Sequence, residues 1–348
     1  MTSNKIVHIC PDDGNYIPEF IDFVQNNFED HEKHSFFICN FKGKYYGSPK
    51  KPNTFAAFQL GQHVFYWKLL RQMHHADKLI IHGLFGIKTT IMLTLQPWLL
   101  PKCYWIIWGG DLYAYRHRKN TLFARTKEFF RRFVIKRVGH LVSGVEGDVE
   151  LAREWYGARG HWHNCMPYLS GMITGCDSLP KTENTIHILV GNSADPSNEH
   201  FEILEMLKQY ADEDIHIHVP LSYGPQNYAK RVVQEGKRIF GNKFTPIIDW
   251  LPRDEYRAFL ATVDLAIFNH RRQQALGNAI ILLELGKAVF MRSDISSWAF
   301  FRRFGLHVFD INAFDINNIP RNLSDNKRIV REYFSDDALR DQLFTLFN

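Results

Sequence analysis

The chain has 348 residues, of which 45% are hydrophobic and 23% are charged, and its formal net charge is +5. This length favours two globular domains of about 150 to 180 residues each, and the sequence shows neither an apolar run of roughly 18 residues nor a signal-peptide pattern, so a membrane-spanning helix is not expected. Five cysteines at unpatterned spacings favour reduced thiols in the cytoplasm over disulfides or a zinc site.

Apolar strands and amphipathic helices alternate through the first half of the chain. Residues 5–10 predict a strand, a helix with an apolar face follows, and residues 35–39 predict the next strand of a βαβ unit. Further buried strands are predicted at residues 78–81, 103–107 and 141–143. This pattern predicts a first Rossmann-like domain over residues 1–160, followed by a linker that ends near residue 184.

Two glycine-containing clusters follow strands of this first domain. They are His82-Gly83-Leu84-Phe85-Gly86 and Trp108-Gly109-Gly110-Asp111-Leu112-Tyr113. Because ligands bind outside the carboxyl ends of parallel strands, both clusters are expected to project into one cleft, with His82 and Asp111 able to take or give a proton. The alternatives are a turn histidine bonded to the backbone and a helix-capping aspartate, and Trp108 either stacks on a sugar or fills a core.

Residues 115–137 form a strongly basic segment with nine lysines or arginines and one acid. Phe123, Phe130, Phe133 and Val134 are predicted to share one stripe of a helix. A basic amphipathic helix with aromatic residues is typical of peripheral contact with an anionic membrane, and the alternative is a core helix with a solvated basic face. Nucleic acid is not expected, because no reading helix or aromatic platform accompanies the charge. The residues expected to contact the membrane are Arg118, Phe123, Arg125, Phe130, Arg131 and Arg132.

The second half of the chain repeats the alternation over residues 185–323. An apolar run at residues 186–190 breaks at Gly191, and a helical pattern resumes at residue 199. Gly191 permits a tight turn, Ser197 or Asn198 can cap the helix, and a helix N-terminus favours an anion, so the loop is a candidate phosphate site. The alternative is an ordinary capped helix after a strand. Residues 324–348 are predicted to be helical and to cross back onto the first domain.

A second candidate cluster lies at residues 269–284 of the same domain. Arg271 and Arg272 follow a strand and can neutralise a diphosphate, Gly277 permits close backbone approach, and Glu284 can accept hydrogen bonds from ribose hydroxyls. Together with the loop at Gly191, this cluster predicts a site for a nucleoside diphosphate. No metal is expected, because no Asp-x-Asp pair follows a strand and no HExxH motif or Cys/His cluster is present, so arginines and helix N-termini must stabilise the diphosphate.

Several sequence blocks together resemble a known family. The blocks are His82-Gly83-x-Phe85; Ile107-Trp108-Gly109-x-Asp111-Leu112-Tyr113; Ile188-Leu189-Val190-Gly191-Asn192-Ser193 with Asp195, Ser197, Asn198 and His200; and Arg272-Gln273-Gln274 with Gly277. In this order they resemble the TDP-N-acetylfucosamine:lipid II N-acetylfucosaminyltransferases, glycosyltransferase family 56, over about residues 80–291.

The resemblance implies an α/β protein of GT-B type, with two doubly wound Rossmann-like domains facing across a cleft. It implies a metal-independent glycosyltransferase without a cofactor, which moves an amino-deoxy sugar of the 4-acetamido-4,6-dideoxyhexose type from a nucleoside-diphosphate donor, TDP-linked, to a polyprenyl-diphosphate-linked glycan in surface polysaccharide synthesis. The expected location is peripheral, at the cytoplasmic face of the bacterial inner membrane. The donor-binding residues expected in the C-terminal domain are Gly191, Asn192, Ser193, Asp195, Asn198, Tyr223, Arg271, Arg272, Gln273, Gln274, Gly277 and Glu284.

The acceptor is expected at the N-terminal domain, where Asp111 is the preferred general base and His82 the second candidate. A carboxylate between Gly110 and the aromatic residues Trp108 and Tyr113 would be partly desolvated, which raises its pKa. The residues expected on the acceptor side are Gly83, Trp108, Gly109, Gly110 and Tyr113. Four alternatives remain open. They are a related GT-B transferase with a different donor sugar, a non-catalytic nucleotide-sugar-binding protein, a protein that binds anionic membranes or RNA through residues 116–137, and a nucleotide-sugar epimerase with the same architecture.

Overall fold

The computed structural model describes residues 4–12, 14, 16–40, 53–117, 121–168, 184–321 and 323–348. Contacts divide the chain into two compact units. One unit combines the described residues up to 168 with Asp337–Asn348, and the other extends from residue 184 to Asp336. No helix in these described ranges combines the length and the apolar character that crossing a bilayer requires.

The first unit contains a seven-stranded parallel sheet. Its strands are β1 (Ile6–Asp12), β2 (His34–Asn40), β3 (Thr54–Ala56), β4 (Lys78–His82), β5 (Cys103–Ile106), β6 (His140–Val142) and β7 (His161–His163). Their order is β3-β2-β1-β4-β5-β6-β7, and Ile6 pairs with His34 on one side and with Lys78 on the other. Because the order reverses between β1 and β4, the ligand crevice of this sheet is expected at the carboxyl ends of those strands.

Helices cover both faces of this first sheet. They are α1 (Tyr16–Asn27), α2 (Ala57–Leu60), α3 (Gln62–His75), α4 (Ile87–Leu95), α5 (Gly110–His117), α6 (Leu122–Ile135), α7 (Glu146–Tyr156) and, from the end of the chain, α14 (Asp336–Phe347). Leu69 of α3, Leu93 of α4 and Val134 of α6 pack in one core with Trp105 of the sheet. A second core on the opposite face buries α1 and α14, so the last helix stabilises the first unit.

The second unit repeats the architecture with six parallel strands. They are β8 (Ile186–Val190), β9 (Ile215–Pro220), β10 (Phe244–Ile247), β11 (Leu265–Phe268), β12 (Ala288–Met291) and β13 (Phe309–Asp310). Their order is β10-β9-β8-β11-β12-β13, so it reverses between β8 and β11. The helices are α8 (His200–Leu207), α9 (Gln226–Phe240), α10 (Arg253–Thr262), α11 (Leu276–Glu284), α12 (Ser296–Arg303) and α13 (Ser324–Tyr333). The predicted class, two parallel-sheet α/β domains, is confirmed.

Candidate active site

The loop after β8 requires a glycine at its first position. Gly191 has a φ of +67°, and a Cβ added there would lie 2.7 Å from both Asn198 Oδ1 and His200 Nε2. Any other side chain would therefore combine an unfavourable backbone conformation with a collision. The tight turn that the sequence predicted at Gly191 brings the following residues close to the start of α8.

Polar side chains within this loop fix its shape. The buried Asn198 accepts a hydrogen bond from Asn192 N at 2.9 Å through Oδ1, and its Nδ2 donates to Asp195 O at 3.0 Å. Asp195 Oδ1 accepts from Ser197 N at 2.9 Å, which caps the short 3-10 helix Pro196–Asn198. Because these contacts are internal, the loop is preorganised by its own sequence.

The loop after β11 is bonded directly to the loop after β8. Gln274 Nε2 donates to Asn192 Oδ1 at 2.8 Å, and His270 Nε2 lies 2.9 Å from Asn198 Oδ1. Since Asn198 Nδ2 is the atom that donates to Asp195 O, the Oδ1 atom faces His270 and the hydrogen is on His270 Nε2. Burial, reinforced by the charge of Arg272, lowers the pKa of His270 to about 3, so this histidine is neutral.

Arg272 places a cation at the edge of these two loops. Its side chain is 17% exposed, and Nη2 lies 3.5 Å from Asp195 Oδ2. Burial opposes the ionisation of Asp195, but hydrogen bonds from Ser197 and the charge of Arg272 hold the pKa of that carboxyl below its ordinary value. A partly shielded guanidinium at a sheet's switch point can hold a diphosphate bidentately.

The remaining predicted donor-binding residues do not all lie within the bonded loop cluster. Tyr223 accepts a hydrogen bond from Asn192 Nδ2 at 2.8 Å, so it belongs to the loop cluster. Gln273 contributes its carbonyl oxygen to Arg272 Nη1 at 3.3 Å. Gly277 lies in the first turn of α11, whose N-cap Ala275 has a φ of +58°. Tyr223 is therefore bonded to the loop cluster, while Gln273 is bonded to its neighbour Arg272 and Gly277 lies at the start of the helix that follows.

Arg271 and Glu284 are corrections to the predicted site. Arg271 bonds to Glu199 at 2.7 Å and to Glu202 at 2.6 Å, so its guanidinium lies along α8. Glu284 is fully buried, and its carboxylate pairs with Arg257 of α10 and with Arg331 of α13. A carboxylate without exposed surface and with both oxygens engaged cannot meet a ribose, so Glu284 holds three helices together.

Asp111, the preferred base, is also corrected by the structure. The side chain is fully buried, and its two oxygens accept four N–H groups, from Leu84 N, Trp105 Nε1, Trp108 N and Leu112 N, at 2.7 to 3.0 Å. Burial raises the pKa of Asp111, and the bonds from Leu84, Trp105 and Trp108 oppose that rise. The carboxylate is a clamp that joins the loops after β4 and β5, and an acceptor hydroxyl cannot reach it.

His82 is enclosed as well, within a hydrogen-bonded chain of side chains. Its Nε2 lies 3.0 Å from His8 Nδ1, and His8 Nε2 lies 2.9 Å from His34 Nδ1. His82 Nδ1 lies 2.6 Å from the hydroxyl of Tyr168, which also accepts Trp108 Nε1–H at 2.8 Å. Burial lowers the pKa of His82 to about 3 and that of His34 to about 4. The histidines are therefore neutral, and His82 orients Tyr168.

His8, His34 and Tyr168, the other members of this hydrogen-bonded series, were not among the predicted site residues. The signal that could have found the first two is a histidine within the predicted strand at residues 5–10 and another directly before the predicted strand at residues 35–39. Tyr168 lies in the segment predicted as a linker. Trp108, Tyr168 and Tyr16 form an aromatic cluster, in which the ring centroids are 5.0 to 6.0 Å apart.

Some of the predicted acceptor-side residues lie near this aromatic cluster, and one is buried in the core. Gly83 has a φ of +79°, and a Cβ there would lie 2.4 Å from the Phe85 ring; Gly109 has a φ of +74°. Gly110 is the first residue of α5. Tyr113 is a correction, because it is buried and its hydroxyl donates to Asp148 Oδ1 at 3.3 Å. Within the described ranges, no three His, Cys, Asp or Glu side chains converge in a way that could hold a metal ion.

The buried face of helix α6 differs from the aromatic stripe that the sequence predicted. Its buried face carries Glu128, Arg131, Val134 and Ile135, and Arg131 is paired with Glu128. Arg131 therefore cannot contact a membrane, and Phe130 is half-buried. Phe123 is 65% exposed, and Arg125 and Arg132 are exposed too. Arg118 lies outside the described residues.

Comparison with known proteins identifies the family. The sequence model of the family described as 4-alpha-L-fucosyltransferase, glycosyl transferase group 56, matches residues 17–320. Three solved structures have a similar fold over nearly the whole chain. HepE from Anabaena, in complex with UDP-glucose, gives a TM-score of 0.68 at 12% identity over 98% of this chain and 99% of that chain.

Sucrose-phosphate synthase from Thermosynechococcus elongatus gives a TM-score of 0.66 at 12% identity over 99% of this chain and 98% of that chain. The apo form of the lipopolysaccharide outer core galactosyltransferase WaaB gives 0.65 at 9% identity over 98% of each chain. At these identities the likeness establishes the fold, which is GT-B. Because the family model covers most of the sequence, the chain belongs to glycosyl transferase group 56 and is a glycosyltransferase.

Proposed function

We propose that this glycosyltransferase moves a 4-acetamido-4,6-dideoxyhexose from a TDP-linked donor to a polyprenyl-diphosphate-linked glycan. The reaction belongs to surface polysaccharide synthesis at the cytoplasmic face of the bacterial inner membrane, where the protein is peripheral. The family is described as transferring a fucosyl group, a 6-deoxyhexose, which supports a deoxy sugar on the donor. The amino-deoxy form of that sugar is proposed from the resemblance of the sequence blocks around Trp108 and Gly191 to the N-acetylfucosaminyltransferases.

The observation that carries the donor half is the pair of bonded loops at the β8–β11 switch point, with Arg272 at their edge. When the bond between the anomeric carbon and the phosphate oxygen breaks, negative charge develops on the leaving diphosphate. Arg272 and the N-terminus of α11 are available to stabilise that charge. HepE, which has a similar fold, was solved with UDP-glucose, and this supports a nucleotide-sugar as the donor.

The acceptor half rests on the aromatic cluster of Tyr16, Trp108 and Tyr168. These residues follow β1, β5 and β7 respectively, at the carboxyl edge of the first sheet, and Tyr16 is 45% exposed. Aromatic rings present flat apolar faces on which the apolar face of a sugar ring can stack. His82 fixes the Tyr168 hydroxyl from below, so we assign this cluster to the glycan of the acceptor.

The outer face of α6 supports the membrane contact. Leu122 and Phe129 are 81% and 67% exposed, and their spacing of seven residues keeps them on the same side of the helix. Arg125, Arg132 and Lys136, at spacings of seven and four, form an exposed basic row. Apolar side chains flanked by cations on one helix match an anionic lipid surface.

The experiment that tests the proposal supplies the protein with TDP-4-acetamido-4,6-dideoxyhexose and a polyprenyl-diphosphate disaccharide, and examines the lipid by mass spectrometry. We expect the glycolipid to gain one deoxyhexose residue, and the Arg272→Ala variant to form much less product. Formation of product only from UDP-hexoses would overturn the donor class. Consumption of the donor without any change in the lipid would overturn the acceptor.

A further inference from the structure

Two exposed aromatic side chains lie beside the loop after β8 in the second unit. Tyr223 follows β9 and Trp250 follows β10, so both stand at the carboxyl edge of the sheet, on the side of β8 away from β11. They are 48% and 50% exposed, and their ring centroids are 6.3 Å apart at an interplanar angle of 57°. Trp250 played no part in the sequence-based site.

This pair is built into the loop cluster rather than placed on a separate surface. Asn192 Nδ2 donates to the Tyr223 hydroxyl at 2.8 Å, and Ala194 N donates to Tyr223 O at 2.8 Å. Gly224 has a φ of +114°, and a Cβ there would lie 2.7 Å from the Ala194 backbone, so the turn packs directly on the loop after β8. Leu221 N donates to Ile247 O at 2.7 Å, which ties the turn to β10.

The spacing of the pair from Arg272 suits a nucleoside. Arg272 follows β11, while Tyr223 follows β9 and Trp250 follows β10, two and three strands away, which corresponds to about 10 Å and about 14 Å across the sheet. An extended nucleoside diphosphate spans a comparable distance between its phosphates and its base. Asn192 connects the two ends, because its Oδ1 accepts from Gln274 of the Arg272 loop and its Nδ2 donates to Tyr223.

We propose that Trp250 and Tyr223 form a stacking platform for the nucleobase of the donor. This inference rests on the proposed donor class and adds the base-binding subsite to it. Stacking on an aromatic ring stabilises a base through its π-face and does not depend strongly on which base is present. The platform therefore contributes affinity for the nucleotide, while the choice of base requires hydrogen bonds from other groups.

Titration calorimetry with TDP, UDP, TDP-sugar and inorganic pyrophosphate tests the platform. We expect Trp250→Ala to weaken TDP and UDP binding by about 10-fold to 100-fold, the range for loss of one base–aromatic contact, and to leave pyrophosphate binding unchanged. Trp250→Phe keeps a stacking surface, so its TDP affinity should stay within a few-fold of wild type. The matched control is Tyr333→Ala, which removes a similarly exposed aromatic side chain from α13.

The possible results distinguish a failure of the base-stacking platform from a failure of the proposed donor class. Equal TDP affinity in wild type and Trp250→Ala would overturn the platform while leaving the proposed function intact. A loss of affinity confined to TDP-sugar, with TDP unaffected, would assign the pair to the sugar and also overturn it. Wild-type protein that binds pyrophosphate but no nucleoside diphosphate would overturn the proposed donor together with the platform.

Discussion

Gln274 Nε2 donates a hydrogen bond to Asn192 Oδ1 at 2.8 Å, across 82 positions of sequence. The bond joins the loops that follow β11 and β8, which are adjacent parallel strands. The loop that begins at Gly191 and the loop that contains Arg272 are therefore parts of one candidate site. A negative charge that develops beside this site therefore lies near polar groups of both loops, because the Gln274 and Asn192 side chains hold the loops together.

Two neighbouring arginines allow the donor assignment to be tested against a matched control. Arg272→Ala should weaken nucleoside-diphosphate binding by about 1.5 to 3 kcal/mol, the range for a charge-assisted hydrogen bond. Arg271→Ala should change the affinity only slightly, because Arg271 is held by Glu199 and Glu202 on α8. Calorimetry with TDP measures both, and equal losses in the two variants would show that Arg271 also reaches the ligand.

Asp111→Asn should lower the free energy of unfolding of the protein. The substitution places an NH₂ group against N–H donors, and each buried group left without a partner costs about 1 to 3 kcal/mol. We expect the free energy of unfolding to fall by at least about 2 kcal/mol in urea denaturation, with Asp30→Asn, at an exposed carboxylate of the same unit, as the control. Unchanged stability with turnover reduced about 10² to 10⁴-fold would restore Asp111 as the general base.

The buried histidines should make the fold sensitive to acid. Burial lowers the pKa of His82 and His270 to about 3 and of His34 and His200 to about 4, from an ordinary value near 6.5. Between pH 6.5 and 4 the unfolded chain therefore binds more protons than the folded chain, and stability falls as the pH falls. Each of these histidines contributes on the order of 2 kcal/mol to this loss at pH 5.

Urea denaturation at pH 7.5 and at pH 5 measures this effect. We expect a clearly lower midpoint at pH 5, and a smaller difference in a His82→Gln variant, which removes one titrating ring. Stability that stays constant between the two pH values would contradict the neutral state assigned to the histidines.

The outer face of α6 should control binding to anionic vesicles. Leu122→Ser combined with Phe129→Ser removes two exposed apolar side chains, and we expect sedimentation with phosphatidylserine vesicles to fall several-fold. Phe344→Ser, which removes a 61% exposed side chain from α14 on the opposite face of the same sheet, is the control. Equal binding by the double variant and the control would make α6 an ordinary solvated helix.

The charged row of α6 gives a separate test. The double variant Arg125→Glu with Lys136→Glu should bind anionic vesicles more weakly than wild type at low salt, since each cation near an anionic surface contributes about 1 kcal/mol. Arg131→Glu should unfold the helix locally instead, because it places two buried carboxylates side by side. Loss of lipid binding in a stably folded Arg131→Glu protein would contradict the buried ion pair.

The fold and the shape of the loop after β8 could be predicted because their signals are local. Apolar runs gave the strands, and Gly191 marks a turn that only glycine allows without strain. Such features depend on residues close together in sequence, so periodicity and turn chemistry are sufficient to find them.

The roles of Asp111, Glu284 and Arg131 could not be predicted in this way. Asp111 is a clamp because Leu84 N, from another loop, points at it, and Glu284 is buried because Arg257 and Arg331 come from two other helices. Arg131 lies on the buried face because its partner Glu128 neutralises it there. Whether a charged residue faces solvent, ligand or a partner depends on tertiary neighbours, which sequence spacing does not specify.

The most direct test of the proposed reaction is the initial rate of TDP release from TDP-4-acetamido-4,6-dideoxyhexose, measured with and without a polyprenyl-diphosphate disaccharide. We expect release to depend on the lipid acceptor, to match the formation of extended glycolipid mole for mole, and to fall strongly in Arg272→Ala. TDP release at the same rate without the acceptor, or no release with it, would contradict transfer to a lipid-linked glycan.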